Sequence, residues 1–310
     1  MDQLEPLAIP GGAGLSEPSG SRGWVLIDDG EPSRLGPALL SMTSRGVSSI
    51  EVLVDGSPSA TGVVARRAAA FDGVAVWQVD GRSVDPASPA LPLTDDAFEV
   101  DPVLRSALES HHLEVICEHG VLRGEVLGLE VARTVGGHLE VGVGRYDRGA
   151  RLEMRPGEDL HSALEQAADA VRQLRRPGAP AHPANTLARS RWLRALACAH
   201  PASLGVSQLE PVPPPLPWFD LSEVASSPAI GITDSGRKVV AVFSVGVDPD
   251  LLPTAADCFA HYGSPEADLW LVLPQRDVLP VVRNLASRLR LKPSIHLVPT
   301  DWENLGGHVY

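Results

Sequence analysis

Lysine is almost absent from this chain: Lys238 and Lys292 are the only two in 310 residues. Neither stands in a glycine-rich loop, which excludes a Walker A phosphate cradle, whose lysine follows directly on its glycines. A dinucleotide loop is missing too, because Gly142-x-Gly144 is followed by Asp147 where the third glycine belongs. No GxSxG elbow occurs, and Ser244 lies between Phe243 and Val245 without flanking glycines. The common ATP, NAD and serine-hydrolase chemistries are therefore disfavoured. Cysteine is scarce: Cys117, Cys198 and Cys258 are odd in number and widely spaced, so they build no disulfide framework. Aromatic residues make up 5%, which leaves Ala, Val and Leu to fill the core. No apolar run approaches the roughly 18–20 residues of a membrane span. The opening MDQLEPLAIPGGAGLSEPSGSRG lacks the basic start and apolar stretch of a signal peptide. Its Gly, Ser and Pro read as a disordered tail over residues 1–22 of a cytoplasmic protein.

What the chain has in excess is negative charge, formally −13, which works against general attraction to nucleic acid or an anionic membrane. The charge is uneven. Residues 172–200 carry Arg172, Arg175, Arg176, Arg189, Arg191 and Arg194 and no acid. The arginine-for-lysine usage, with abundant Ala, Gly and Pro, fits a GC-rich genome, and the whole chain resembles a cytosolic actinobacterial protein; that resemblance implies no mechanism.

Both ends of the chain read as α/β units. Residues 23–81 run WVLID, a helix, IEVLVD, a helix and VAVWQVD; residues 229–304 run KVVAVFSV, a helix, ADLWLVLP, a helix and SIHLVP. Short apolar runs alternating with helical-period segments are the pattern of parallel βαβ units. Ile27 to Pro37 and Phe243 to Pro253 have equal spacing, and Gly46 and Gly263 each close a first helix. The expected fold is thus α/β: two Rossmann-like βαβαβ units, read as a candidate internal repeat, flanking a middle module over 101–200. Residues 82–100 and the proline-rich 201–228 read as connectors. In the latter, PVPPPLPWF favours polyproline II, either as a docking peptide or as a stiff strap with Trp218 and Phe219 tucked in. In the middle module, Asp101 caps a helix from Pro102. Strands LEVICEH, LRGEVLGLEVARTV and HLEVGVGRY follow, with a tight turn at Gly136-Gly137. Leu160, Ala163, Leu164, Ala167, Val171 and Leu174 mark one face of the last helix.

Three constellations could carry chemistry. Carboxylates at the carboxyl ends of the first strands (Asp28, Asp29, Glu31 and Asp55; Asp248, Asp250 and Asp277) lie where open α/β sheets bind ligands. Asp28, Asp29 and Asp55 could hold Mg2+, while Asp250 also reads as a helix N-cap. ESHHLEVICEH crowds Glu109, His111, His112, Glu114, Cys117, Glu118 and His119 together, but without a CxxC or HExxH pattern for zinc. Arg172, Arg175, Arg176, Arg191 and Arg194 could grip a phosphate or carboxylate bidentately, or else complement a helix dipole and the chain's own acids.

The α-β-β-β-α order of the middle module resembles the core of the PD-(D/E)XK nuclease superfamily. The resemblance implies a Mg2+ site at Glu118 and Glu130, with a lysine two residues after the second acid. Ala132 stands in that lysine's place, and Arg133 points to the other strand face. The sequence reading is therefore a non-catalytic binding or assembly protein that meets an acidic or phosphate-bearing partner through its arginines, with a homo-oligomer as one form of assembly and no membrane association. The alternative is a metal-dependent nuclease or phosphodiesterase, active or degenerate, using Glu118 and Glu130.

Overall fold

Residues 4–92, 100–144, 147–149, 159–217 and 224–305 are described by a computed structural model. The chain opens with a hairpin, β1 (Glu5–Ile9) and β2 (Gly12–Ser16), that pairs antiparallel with β3 (Arg22–Ile27). The expected tail is thus ordered structure over its described residues. Its physical reason is an alternation hidden among the glycines: Leu7 and Ile9 are buried, and Gly11 supplies the positive φ (+71°) of the turn. From β3 the chain runs through α1 (Leu35–Ser44), β4 (Ser49–Val54), α2 (Pro58–Ala68) and β5 (Val74–Asp80), with β3, β4 and β5 parallel neighbours. Ser57 caps α2 by accepting the Ala60 N–H, and Pro58 takes the first helical position. A short β6 (Ser83–Pro86), read from sequence as connector, completes a six-stranded sheet in simple chain order.

In the middle module Asp101 caps α3 (Pro102–Glu109), as its position before Pro102 suggests. Four strands follow rather than three: β7 (Glu114–Glu118), β8 (Val121–Val126), β9 (Leu129–Val135) and β10 (His138–Val141), all antiparallel. The long apolar candidate breaks at Leu127-Gly128, which turn at φ +48° and +74°. Two successive positive φ values make the mirror-type hairpin turn normally marked by Asn-Gly, and a leucine at its first position carries no such mark. Gly136-Gly137 forms the expected turn between β9 and β10. Leu108 of α3 and Leu164, Ala167, Ala168 and Val171 of α4 (Leu160–Leu174) cover one sheet face over Leu122, Val126 and Val131.

The remainder is α5 (Arg189–Ala199), β11 (Val206–Pro211), β12 (Ser227–Thr233), β13 (Lys238–Phe243), α6 (Leu251–Tyr262), β14 (Asp268–Pro274), α7 (Pro280–Ser287) and β15 (Ser294–Val298). Strand β11 lies in the expected proline-rich connector. The sheet again follows chain order, with β11, β12 and β13 antiparallel and β13, β14 and β15 parallel.

The end sheets meet through their helices. α1 packs on α6 and α7, and α2 packs on α6. One apolar cluster runs from Val25 and Val52 through Leu39, Met42 and Val64 to Leu252, Cys258, Leu285 and Leu271. α1 approaches the chain before α6 so closely that a Cβ on Gly36 would lie 2.2 Å from the Pro249 carbonyl oxygen. The far face of the C-terminal sheet is buried as well, under Trp192, Leu193 and Leu196 of α5 and under Trp302. One expected equivalence fails: Ile27 faces the shared helices whereas Phe243 faces α5, so equal spacing does not put them in equivalent places. No described helix is long and apolar enough to cross a membrane.

Candidate ligand-binding cleft

A cleft of about 720 Å3 opens where the chain after β3 meets the chain after β13. Pro32 and Ser33 form one wall, Pro214–Pro217 another, and Arg67, Asp248, Asp250, Thr254 and Asp257 line its interior. The proline segment is pinned in place: Tyr262 donates its hydroxyl to the Pro213 carbonyl at 2.7 Å, and a ring nitrogen of His119 lies 3.0 Å from the Pro214 carbonyl. The strap reading of these prolines therefore describes their placement, while Trp218 and Phe219 lie outside the described residues.

Arg67 reaches in from α2 and is 1% exposed. It donates to the Pro32 carbonyl (2.6 Å), Asp250 Oδ2 (2.7 Å) and Thr254 Oγ1 (3.0 Å), and its Nε lies 3.1 Å from Asp257 Oδ2. Burial opposes its charge, yet Asp250 and Asp257 hold its pKa above the ordinary arginine value. Asp257 also receives Arg66 at 2.9 Å, so this carboxylate is fully engaged. Asp248 accepts the Ser226 hydroxyl and the Asp250 N–H, and burial pushes its pKa up.

Asp250 differs from the rest. It starts α6 but makes no side-chain cap, because its carboxylate turns to Arg67 and Thr254. Burial, aided by Asp248 and opposed by Arg67, pushes its pKa up to about 6. Its side chain is 23% exposed, while Oδ1 is buried and has no hydrogen-bond partner. The cleft thus holds four acids (Glu31, Asp248, Asp250, Asp257) against Arg67, apolar proline walls, and one free buried acceptor. Such an arrangement favours a ligand that brings a positive charge or a hydrogen-bond donor on an apolar body.

Other sequence-selected residues are placed elsewhere. Asp28 and Asp29 pair with Arg34 at 2.7 and 2.6 Å, and Asp55 stands exposed after β4. Among the described residues no group of three or more His, Cys, Asp or Glu could hold a metal ion. Glu118 and Glu130 are 1% exposed and engaged by arginine. Arg123 joins them, at 3.5 Å from Glu118 and 2.8 Å from Glu130, and Arg133 and Arg148 also bind Glu130 at 2.7 and 2.8 Å. A metal there would have to displace these guanidiniums. His111 packs against His161, ring centroids 4.3 Å apart and tilted by 53°, and burial raises the Cys117 thiol's pKa.

The arginine tract is largely internal. Arg191 bridges Glu118 (2.7 Å) and Glu125 (2.5 Å), and Arg194 lies on Glu125 and the Val212 and Pro228 carbonyls. Arg175 donates to the Leu127, Ala184 and Leu187 carbonyls and stacks over Trp192 at 4.7 Å. Arg172 pairs with Asp169 and the His111 carbonyl, and Arg176 is exposed. The polar face of the middle sheet is therefore neutralised by α5, and four of the five arginines expected to meet a partner contact the protein itself, three of them buried.

Sequence reasoning missed Arg67 and Asp257. Each is a charge on an apolar helical stripe, beside Val64, Ala65 and Ala68 or beside Ala255, Ala256 and Cys258. A lone charge at a core position is the signal that could have found them. Comparison of the chain with protein-family models, curated proteins and solved structures gives no match.

Proposed function

We propose that this is a non-catalytic binding protein that takes a small organic cation, an amine or guanidine on an apolar body, in the cleft at Asp250. The observation that carries the reading is Asp250, a carboxylate that lines an acidic, proline-walled cavity with its side chain 23% exposed and one oxygen, the buried Oδ1, without a partner. Among the described residues the cleft lining contains no histidine, cysteine or lysine. This moves partner contact from the arginine tract, of which Arg172, Arg176 and Arg189 lie near solvent, to the joint between the two end units. Glu118 and Glu130 are tied to arginines, which argues against the nuclease alternative.

In this reading the end units are two copies of one Rossmann-like βαβαβ plan, each led by two antiparallel strands. Support comes from the shared strand order and from helix contacts that exchange under two-fold symmetry, α1 with α7 answering α6 with α2. The ligand would then sit where the first βα loops of the copies meet.

A thermal-unfolding panel of benzylamine, putrescine and agmatine tests the assignment. At least one should raise the melting temperature, since a ligand at about 100 times its Kd stabilises by about 2.7 kcal/mol. Asp250→Asn should cut the rise to about half or less. An equal rise in that variant, or none with any cation, contradicts the proposal.

A further inference from the structure

The outer face of the N-terminal sheet is the one sheet face left uncovered among the described residues. The C-terminal sheet is buried under helices on both faces, and the middle sheet carries α3 and α4 on one side and the α5 arginines on the other. On β3, by contrast, Gly23, Val25 and Ile27 turn to the core while Arg22, Trp24 and Leu26 turn out. The outward residues of six strands include Leu15 and Leu26 (40% and 38% exposed), Trp24, Leu53, Trp77 and Val84.

This face has the makeup of an interior. Strands open to water on one side normally alternate apolar and polar, whereas runs such as WVLI, VLV and VAVW belong to strands buried on both sides. Its two charges, Arg22 and Glu51, lie on the central strands β3 and β4, 3.5 Å apart. Glu51 also accepts the Trp77 Nε1–H at 2.7 Å, and Arg22 lies over Trp24 at 5.9 Å. The polar atoms are thus satisfied within the face, which is neutral on a chain of net charge −13.

We infer that this face binds a second copy of the same chain, sheet against sheet about a two-fold axis. Neutrality favours self-association there, because two copies at −13 repel each other through most other surfaces. An adjacent cation and anion on the central strands is self-complementary: a two-fold passing between them brings each Arg22 toward the other copy's Glu51. The extent is that of a small interface. Six strands about 4.8 Å apart and about five residues long give a flat footprint of roughly 29 by 17 Å, or about 490 Å2 per partner, at the low end of the range for specific association. The contact is face to face, distinct from pairing of strand edges.

Light scattering on the full chain at about 10–100 micromolar should give twice the chain mass of 32.8 kDa. Leu26→Lys should weaken the dimer at least about tenfold with an unchanged far-ultraviolet circular dichroism spectrum, since the side chain already reaches solvent. Val84→Lys on the same face should act alike. Leu297→Lys, on the edge strand β15, should leave the mass unchanged. A wild-type monomer throughout this range overturns the proposal. So does a dimer that survives Leu26→Lys and Val84→Lys, or one that only Leu297→Lys dissociates.

Discussion

Replacing Arg191 by methionine is expected to lower stability by about 3–5 kcal/mol, the range for removing one partner of a buried ion pair. Arg191 is 2% exposed and its two terminal nitrogens are divided between Glu118 and Glu125, both 1% exposed. Burial opposes its charge, but Glu125 and Glu118 together raise its pKa above the ordinary arginine value. In the reverse direction Arg191 and Arg123 overcome burial and hold Glu118 below the usual carboxylate range. Methionine fills comparable volume without charge, so the loss arises from two carboxylates left in a water-excluded layer. Glu125 keeps Arg194 at 3.5 Å; among the described residues Glu118 keeps Arg123, also at 3.5 Å. Adding Glu118→Gln to Arg191→Met should therefore recover much of the deficit. Urea unfolding followed through Trp192 and Trp302, which sit edge to face at 5.3 Å beside α5, reads the change where it occurs. A loss below about 1 kcal/mol, or no recovery in the double variant, would mean that the network does not hold the middle module to the C-terminal sheet.

Arg67→Met should have an effect of similar size, about 3–5 kcal/mol near pH 7, with a distinct pH dependence. Arg67 serves Asp250, Asp257, Thr254 and the Pro32 carbonyl; without it Asp257 retains Arg66, but Asp250 loses its cation. The folded-state pKa of Asp250, about 6, already exceeds the ordinary Asp value of about 3.9. An acid whose pKa is raised on folding favours the folded state at low pH, so its contribution falls as pH rises from about 4 to about 6. Removing Arg67 raises that pKa further and extends the window upward. The variant's deficit should thus be smallest near pH 4–5 and grow toward pH 7. Arg67→Lys should recover only part of it, because an ammonium cannot reproduce the fork that reaches two carboxylates and a carbonyl. A deficit that is flat in pH would show that Asp250 does not depend on Arg67 for its charge.

Much of the framework was legible because it rests on local periodicity. The apolar runs at 24–27, 50–54, 239–243 and 269–273 are strands, and Asp101 before Pro102 and Gly136-Gly137 do what their chemistry suggests. What escaped depended on distance. The tract around Arg191 looks like a surface patch until Glu118 and Glu125, 73 and 66 residues earlier, fold against it. Arg67 and Asp250 are 183 residues apart, and no local pattern announces their pairing. The Leu127-Gly128 turn was hidden for another reason: tertiary contact holds a leucine at positive φ where turn-forming residues normally stand, with Gly128 pressed so close to Arg191 that a Cβ would lie 2.3 Å from its backbone.

Isothermal titration calorimetry of benzylamine, putrescine and agmatine, each in turn, into wild-type protein and Asp250→Asn, at pH 7.5 and at pH 5, tests the cleft most directly. If Asp250 is the ligand's acceptor, the wild type binds one amine per chain at the higher pH. Binding then weakens about 10- to 100-fold in Asp250→Asn, as expected for losing a charged hydrogen bond of about 1.5–3 kcal/mol. It also weakens at pH 5, where a carboxyl of pKa about 6 is mostly protonated. Binding of equal strength in both proteins and at both pH values, or no binding at all, would contradict it.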